Sequence, residues 1–294
     1  MKVTIFTRFW MCCVLFAASV VNSLAADRLV IIGDAVWGGW SISDGIIMSS
    51  TSNDVWKATT HLEADKGFKF LTTNDFGGLE YRAGDSDVTL AVDEATNLVS
   101  SEDNSKDNKF MVSESANYNI VCDLANKTIT VSKADYQDNA IKYNALWMVG
   151  SATSGGWSID QGTQLSQDAT NPLVYTATTY LSTGEFKVAT NKYRGFEQDF
   201  FMRDANDDSK VVLGGDDSKW NITEAGTYDV ALNTADMTIS IVKNVPSSIS
   251  SVEAEVNAPV EYFTLDGKRV NNISAKGLYI KRQGGKAVKV VVVE

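Results

Sequence analysis

Leu146-Trp147-Met148-Val149-Gly150, followed six residues on by Gly156-Trp157-Ser158-Ile159, echoes an earlier stretch of the same chain, Leu29-Val30-Ile31-Ile32-Gly33 with Gly39-Trp40-Ser41-Ile42. Both pieces recur 117 residues apart. Further on, Gly67-Phe68-Lys69-Phe70 is answered by Glu185-Phe186-Lys187-Val188, and Tyr118-Asn119-Ile120-Val121 by Tyr228-Asp229-Val230-Ala231. The last matching pair, Thr128 to Val131 and Thr238 to Ile241, is 110 residues apart. A fixed order of short apolar runs at a long period marks a duplicated supersecondary unit. The change of spacing places extra residues in the first copy, expected in the polar stretch Asp93 to Asp107 as a surface insertion.

Within each unit, β-branched and aromatic runs alternate with Asn, Asp, Gly and Ser clusters, and no helical period persists. Thr227 to Asn233 and Thr238 to Val242 alternate around Thr234-Ala235-Asp236-Met237, a hairpin signature. The fold expected is all-β: two tandem antiparallel β-sandwich (immunoglobulin-like) modules plus a small C-terminal β-hairpin module. Residues 27–133 form repeat 1, 134–144 a linker with room for one helical turn, and 145–245 repeat 2. The remainder, 246–294, opens with the spacer Pro246-Ser247-Ser248-Ile249-Ser250-Ser251. Beyond it, Asp266-Gly267 joins two strands in a type I′ turn, and Gly284-Gly285 joins two more. This tail holds seven basic and five acidic residues in an otherwise acidic chain, which marks a separate module.

Met1 to Ala26 reads as a secretory signal peptide: Lys2 and Arg8, an apolar run from Phe9 to Val21, then small residues at Ser23 to Ala26. Losing it takes two basic residues from a net charge of −11, giving −13. So acidic a chain argues against nucleic acid as a partner. Of three cysteines only Cys122 lies beyond the signal, so no internal disulfide is available and Cys122 reads as a small buried hydrophobe. The 294 residues include a single histidine, His61. With no phosphate loop and no nucleophile–base pairing, no cofactor, metal or enzymatic activity is expected. Asp204 to Asp208 approaches a calcium loop, but Ser209 stands where glycine is needed. That cluster, like Asp216-Asp217, reads as solvated loop charge.

A repeated set of aromatic and polar residues carries the functional reading. Trp40 and Trp157 each follow two glycines, on a turn able to hold an indole away from the sheet. Lys69 and Lys187 lie in the Phe-Lys strands, and each strand leads to Asn-x-aromatic: Asn74-Asp75-Phe76 and Asn191-Lys192-Tyr193. An indole or phenyl face suits the C–H face of a pyranose, while an ammonium and an amide serve the hydroxyls around its rim. The competing reading keeps both indoles in the core.

The motifs Leu146 to Trp157, Gly184-Glu185-Phe186-Lys187 and Gly226 to Thr238-Ile239 resemble the starch-binding repeats of SusE/SusF-type outer-membrane proteins of Bacteroidota. The resemblance implies a non-catalytic cell-surface carbohydrate-binding protein that takes starch or another glucan. It implicates Trp157, Lys187, Asn191 and Tyr193 in repeat 2 and Trp40, Lys69, Asn74 and Phe76 in repeat 1; Arg203 and Trp220, which match no motif of the family, are further candidate contacts. Partners implied are the polysaccharide and other outer-membrane glycan-uptake proteins. The tail from Val260 to Val270 and Lys276 to Ile280 resembles a type IX secretion sorting domain, implying a surface or secreted location. The alternative is a structural or adhesive surface protein whose repeats are spacers and bind no glycan.

Overall fold

The computed structural model describes residues 26–244 except 53, and 259–293 except 272, 274 and 285. The signal segment and the Pro246 spacer lie outside the described residues. The chain divides into a compact unit reaching Val242 and a second one from Lys243. Among the described residues the elements are strands and two 3-10 turns, Ile42–Asp44 and Ile159–Gln161. The fold is all-β.

Repeat 1 has two sheets. One orders Ile46–Ile47, Val30–Gly33, Phe68–Leu71, Phe110–Met111 and Val88–Thr89, with Glu80–Arg82 on Phe68–Leu71 and Val99–Ser100 beyond it. The other orders Ser49–Ser52, Val55–Leu62, Ala116–Asp123, Thr128–Lys133 and Thr96–Asn97. Side chains alternate across each strand. Trp56, Ala58 and Leu62 therefore meet Tyr118, Ile120 and Cys122 inside, facing Phe68, Phe70 and Phe110 from the first sheet. Cys122 is a free thiol in this core, and burial pushes its pKa up.

Repeat 2 follows the same path with one change at the corner. Thr163–Gln167 pairs with Ala145–Val149 and then, through Ser166 and Gln167, with Val174–Leu181, so its two faces join as one nine-stranded sheet. In repeat 1 the corresponding segment breaks at the buried Met48. The hairpin expected around Thr234 to Met237 forms between Gly226–Asn233 and Thr238–Lys243, with Met237 at φ 51°.

The extra residues of repeat 1 differ from expectation. Arg82 pairs with Val99, as Met202 pairs with Val212, so much of the surplus falls between Arg82 and Val99, beginning before Asp93 and overlapping the expected stretch. It is built structure rather than a surface loop. Leu90 and Leu98 are buried, Thr96–Asn97 adds a strand to the second sheet, and Val88–Thr89 lies parallel to Phe110–Met111.

The segment 134–144 carries no helical turn. It is an extended strap: Thr60 Oγ1 and the His61 amide both donate to Ile141 O at 2.9 Å, and Trp37 Nε1 donates to Lys142 O at 2.6 Å. The Asn117 side chain donates to the Tyr136 and Asn139 carbonyls. An apolar cluster then joins the repeats, Val30 and Ile47 packing with Trp147, Val149, Ile159, Phe200 and Met202.

The second unit is a four-stranded antiparallel sheet of Arg269–Val270, Val260–Phe263, Gly277–Gln283 and Lys286–Val292. Its first turn is not type I′. Gly267 takes φ 84° while Asp266 does not become positive, Gly267 N donates to Thr264 O and Thr264 N to Lys268 O. That is the three-residue loop ending in a glycine bulge.

Candidate functional site

Each repeat carries a Gly-Gly-Trp turn locked by the same two bonds. Gly33 N donates to Gly39 O and Gly39 N to Val36 O; Gly150 N donates to Gly156 O and Gly156 N to Thr153 O. Gly39 and Gly156 sit at φ 56° and 57°, left-handed backbone where a side chain would be strained. Gly33 and Gly150 press on the neighbouring strand so closely that a Cβ would lie 2.2 and 2.1 Å from the Gly67 and Glu185 carbonyl oxygens. These turns leave Trp40 half-buried and Trp157 37% exposed.

In repeat 1, Lys69 projects from the strand Phe68–Leu71 on the face opposite the core phenylalanines. Its Nζ is 2.7 Å from Glu80 and 2.9 Å from Asp107, and 5.9 and 5.6 Å from the ring centres of Trp40 and Phe76. Arg82 bridges the same two carboxylates at 3.2 and 3.3 Å and donates to Asn104 O. Lys109 pairs with Asp107 at 2.8 Å and lies 5.4 Å from the Trp40 ring centre. Burial pushes the Asp107 carboxyl up, but hydrogen bonds from Lys109 and Lys69 outweigh it and hold the group at about 2. Above this network opens a cavity of about 580 Å³, lined by Trp40, Phe76, Gly78 and Ser101 with the charged groups as its floor.

Repeat 2 builds a related site on a different floor. Lys187 Nζ lies 2.8 Å from Asp217, 4.0 Å from the ring centre of Phe200 and 5.3 Å from that of Phe196. Lys219 also holds Asp217, at 2.8 Å, and lies 5.8 Å from the Trp157 ring centre. Hydrogen bonds from Lys187, then Lys219, lower the Asp217 pKa. Phe196 is 57% exposed and stacks on Phe200 at 5.9 Å. Trp157, Phe196 and Tyr193 line a cleft of about 250 Å³.

Residues 145–240 match the model of a family described as SusF/SusE starch specific CBMs, that is, carbohydrate-binding modules. The second repeat is similar to a SusF/SusE-type module. The match spans about a third of the chain. A solved structure, SusF from Bacteroides thetaiotaomicron, is similar at 14% identity over 88% of this chain and 57% of that one, with a TM-score of 0.27. The chain therefore spans little more than half the length of that protein. No curated protein matches the chain.

Within the second repeat and its partner, the structure brings some of the named residues together and sends others elsewhere. Trp40, Lys69 and Phe76 share one cavity. Lys187 reaches Phe196 and Phe200, and Trp157 faces Lys219. Asn191 is 3% exposed; its Nδ2 donates to Ser43 O at 3.1 Å across the junction and its Oδ1 accepts from Tyr193 N. Asn74 Nδ2 donates to Tyr193 O at 2.7 Å, and Arg28 lies 4.0 Å above the Tyr193 ring. Asn74, Asn191 and Tyr193 thus tie the two repeats together. Trp220 is buried with Nε1 on Asp208 O, and Arg203 holds Lys219 O and Asp208, so neither is an open contact.

Phe196 and two Asp–Lys pairs escaped the sequence reading. Phe196, not Tyr193, is the spatial counterpart of Phe76: Leu71 pairs with Glu80 and Ala189 with Phe200, and each phenylalanine stands four residues before the returning partner. The connecting loop is two residues longer in repeat 2, so equal sequence offsets at Asn74 and Asn191 align the wrong aromatic. Asp107 with Lys109 and Asp217 with Lys219 form an Asp-x-Lys-aromatic motif just before Phe110 and Trp220, 110 residues apart. Asp217 is an exposed loop charge, as expected, but one that also clamps two lysines.

Proposed function

We propose that the protein is a non-catalytic α-glucan-binding protein with one aromatic platform per repeat. Trp157 and Phe196 form the platform of repeat 2, and Trp40 and Phe76 that of repeat 1. Sugar rings stack on them while Lys219 and Lys109 donate to hydroxyls at the rim. Lys187 and Lys69, each only a few per cent exposed, hold the floor and fix the carboxylates Asp217 and Asp107 as acceptors. Starch is the ligand of choice because the family matched by residues 145–240 is described as starch specific.

The observation that carries this reading is the pair of large exposed apolar rings, Trp157 at 37% and Phe196 at 57%, beside lysines already held by a carboxylate. A core role would hide both rings. We further assign the chain to the cell surface or outer membrane, with 27–133 and 145–245 as the binding modules and 246–294 as an export and attachment tail. Other outer-membrane glycan-uptake proteins are its expected partners.

Affinity electrophoresis tests the reading. In native gels cast with amylopectin the protein should be retarded relative to a gel without polysaccharide, and Trp157→Ala should restore much of its mobility. Equal mobility with and without amylopectin would favour the spacer or adhesive reading.

A further inference from the structure

Arg28 belongs to repeat 1 but lines the cleft that holds Trp157 and Phe196 of repeat 2. Its Nη1 donates to Asn74 Oδ1 at 2.8 Å while its guanidinium covers the Tyr193 ring. Arg28 and Asn74 also line a second cavity, of about 420 Å³, with Thr72, Thr73 and Leu79. The same hairpin loop, on its other side, presents Phe76 and Gly78 to the 580 Å³ cavity of repeat 1. One loop therefore contributes residues to all three openings, and Arg28 with Asn74 lines two of them.

The repeats cannot easily turn against each other. The apolar cluster between Val30, Ile47, Trp147 and Phe200 is reinforced by Gln167 Nε2 on Thr59 O, by Asn144 Nδ2 on Ile47 O and by Asn191 Nδ2 on Ser43 O. The two platforms are thus held at a fixed separation rather than joined by a flexible tether.

Resting on the glycan-binding reading above, we infer that Arg28 and Asn74 form a junction subsite, and that one polysaccharide chain crosses it to occupy both aromatic platforms at once. The chemistry suits a neutral, hydroxyl-rich chain. Among the described residues only one of the five guanidinium donors of Arg28 is engaged, on Asn74, which leaves donors for sugar oxygens where no aromatic platform lies. A rigid pair of sites converts the second binding step into an intramolecular one, with a gain that vanishes if the ligand is too short to span.

Isothermal titration calorimetry on the purified protein with maltooligosaccharides of increasing length tests this. Short oligosaccharides should bind two per protein. Above a threshold length the stoichiometry should fall to one and the affinity rise by about a hundredfold, at the lower end of what linked sites achieve. Arg28→Met, which keeps an apolar stem over Tyr193, should lower long-chain affinity by about tenfold and move the stoichiometry back toward two, a change that partial unfolding cannot produce. Two long chains per protein at every length would overturn the inference and leave glycan binding intact. No heat with any length would overturn both.

Discussion

Repeats 1 and 2 place a lysine at the same point of the same strand and answer it differently. Under Lys69 the next strand offers Glu80 and then Arg82; under Lys187 it offers Phe200 and then Met202. The first solution buries an ion network, its Lys69, Glu80 and Arg82 side chains 5, 6 and 8% exposed. The second lays an ammonium on an aromatic face and keeps one exposed carboxylate as its counter-charge. A duplicated scaffold can therefore keep a lysine and an aromatic ring at the same place while the support under them changes from ionic to apolar. The ionic version is the fragile one, because removing one member strands the others in a dry site.

Glu80→Ala should consequently have the largest effect on folding. It leaves the Lys69 and Arg82 charges buried with Asp107 as their one remaining carboxylate, at a cost of about 3–5 kcal/mol in chemical denaturation. Asp217→Ala, whose side chain is 60% exposed, should cost below about 1 kcal/mol. Combining Glu80→Phe with Arg82→Met transplants the floor of repeat 2 and should recover most of the loss. Equal costs for Glu80→Ala and Asp217→Ala would break the contrast.

At the binding surface, Phe196→Ala and Trp157→Ala should each weaken α-glucan affinity by about tenfold, the effect of roughly 1.4 kcal/mol lost with one stacked ring. Tyr193→Phe should change affinity less than about twofold, since its ring is covered by Arg28 and its backbone carbonyl makes the junction bond. Titrations on the three variants decide whether Phe196 or Tyr193 is the working partner of Trp157.

A smaller effect separates the repeats in acid. The folded Asp107 carboxyl sits at about 2, below its ordinary 3.8. Such a depressed value supplies stability above pH about 4 that disappears as pH falls toward 2. Urea midpoints measured from pH 5 to 2 should fall less steeply for Asp107→Asn than for the parent chain.

The strands were legible because alternation and turn residues declare themselves locally: Thr227 to Asn233 and its returning partner are read directly from period-two patterning. The Gly-Gly-Trp turns were legible for the same reason, since a left-handed glycine constrains the chain within a few residues. What escaped is non-local. Which aromatic follows Lys187 into the site depends on loop length, not on motif order, so Tyr193 stood in for Phe196. Asn191 looks like a ligand amide until the packing of one repeat on the other buries it, and Asn74 lies at that junction rather than at the aromatic platform of its own repeat. Asp107 and Asp217 look solvated in sequence, and only strand pairing brings lysines from two segments onto each.

Nuclear magnetic resonance of the indole N–H groups during titration with a long maltooligosaccharide tests the central claim most directly. Trp40 and Trp157 should shift progressively with ligand, while the buried Trp56, Trp147 and Trp220 stay within about a linewidth of their free positions. Unmoved Trp40 and Trp157 signals at saturating ligand, or shifts confined to the buried indoles, would contradict the account.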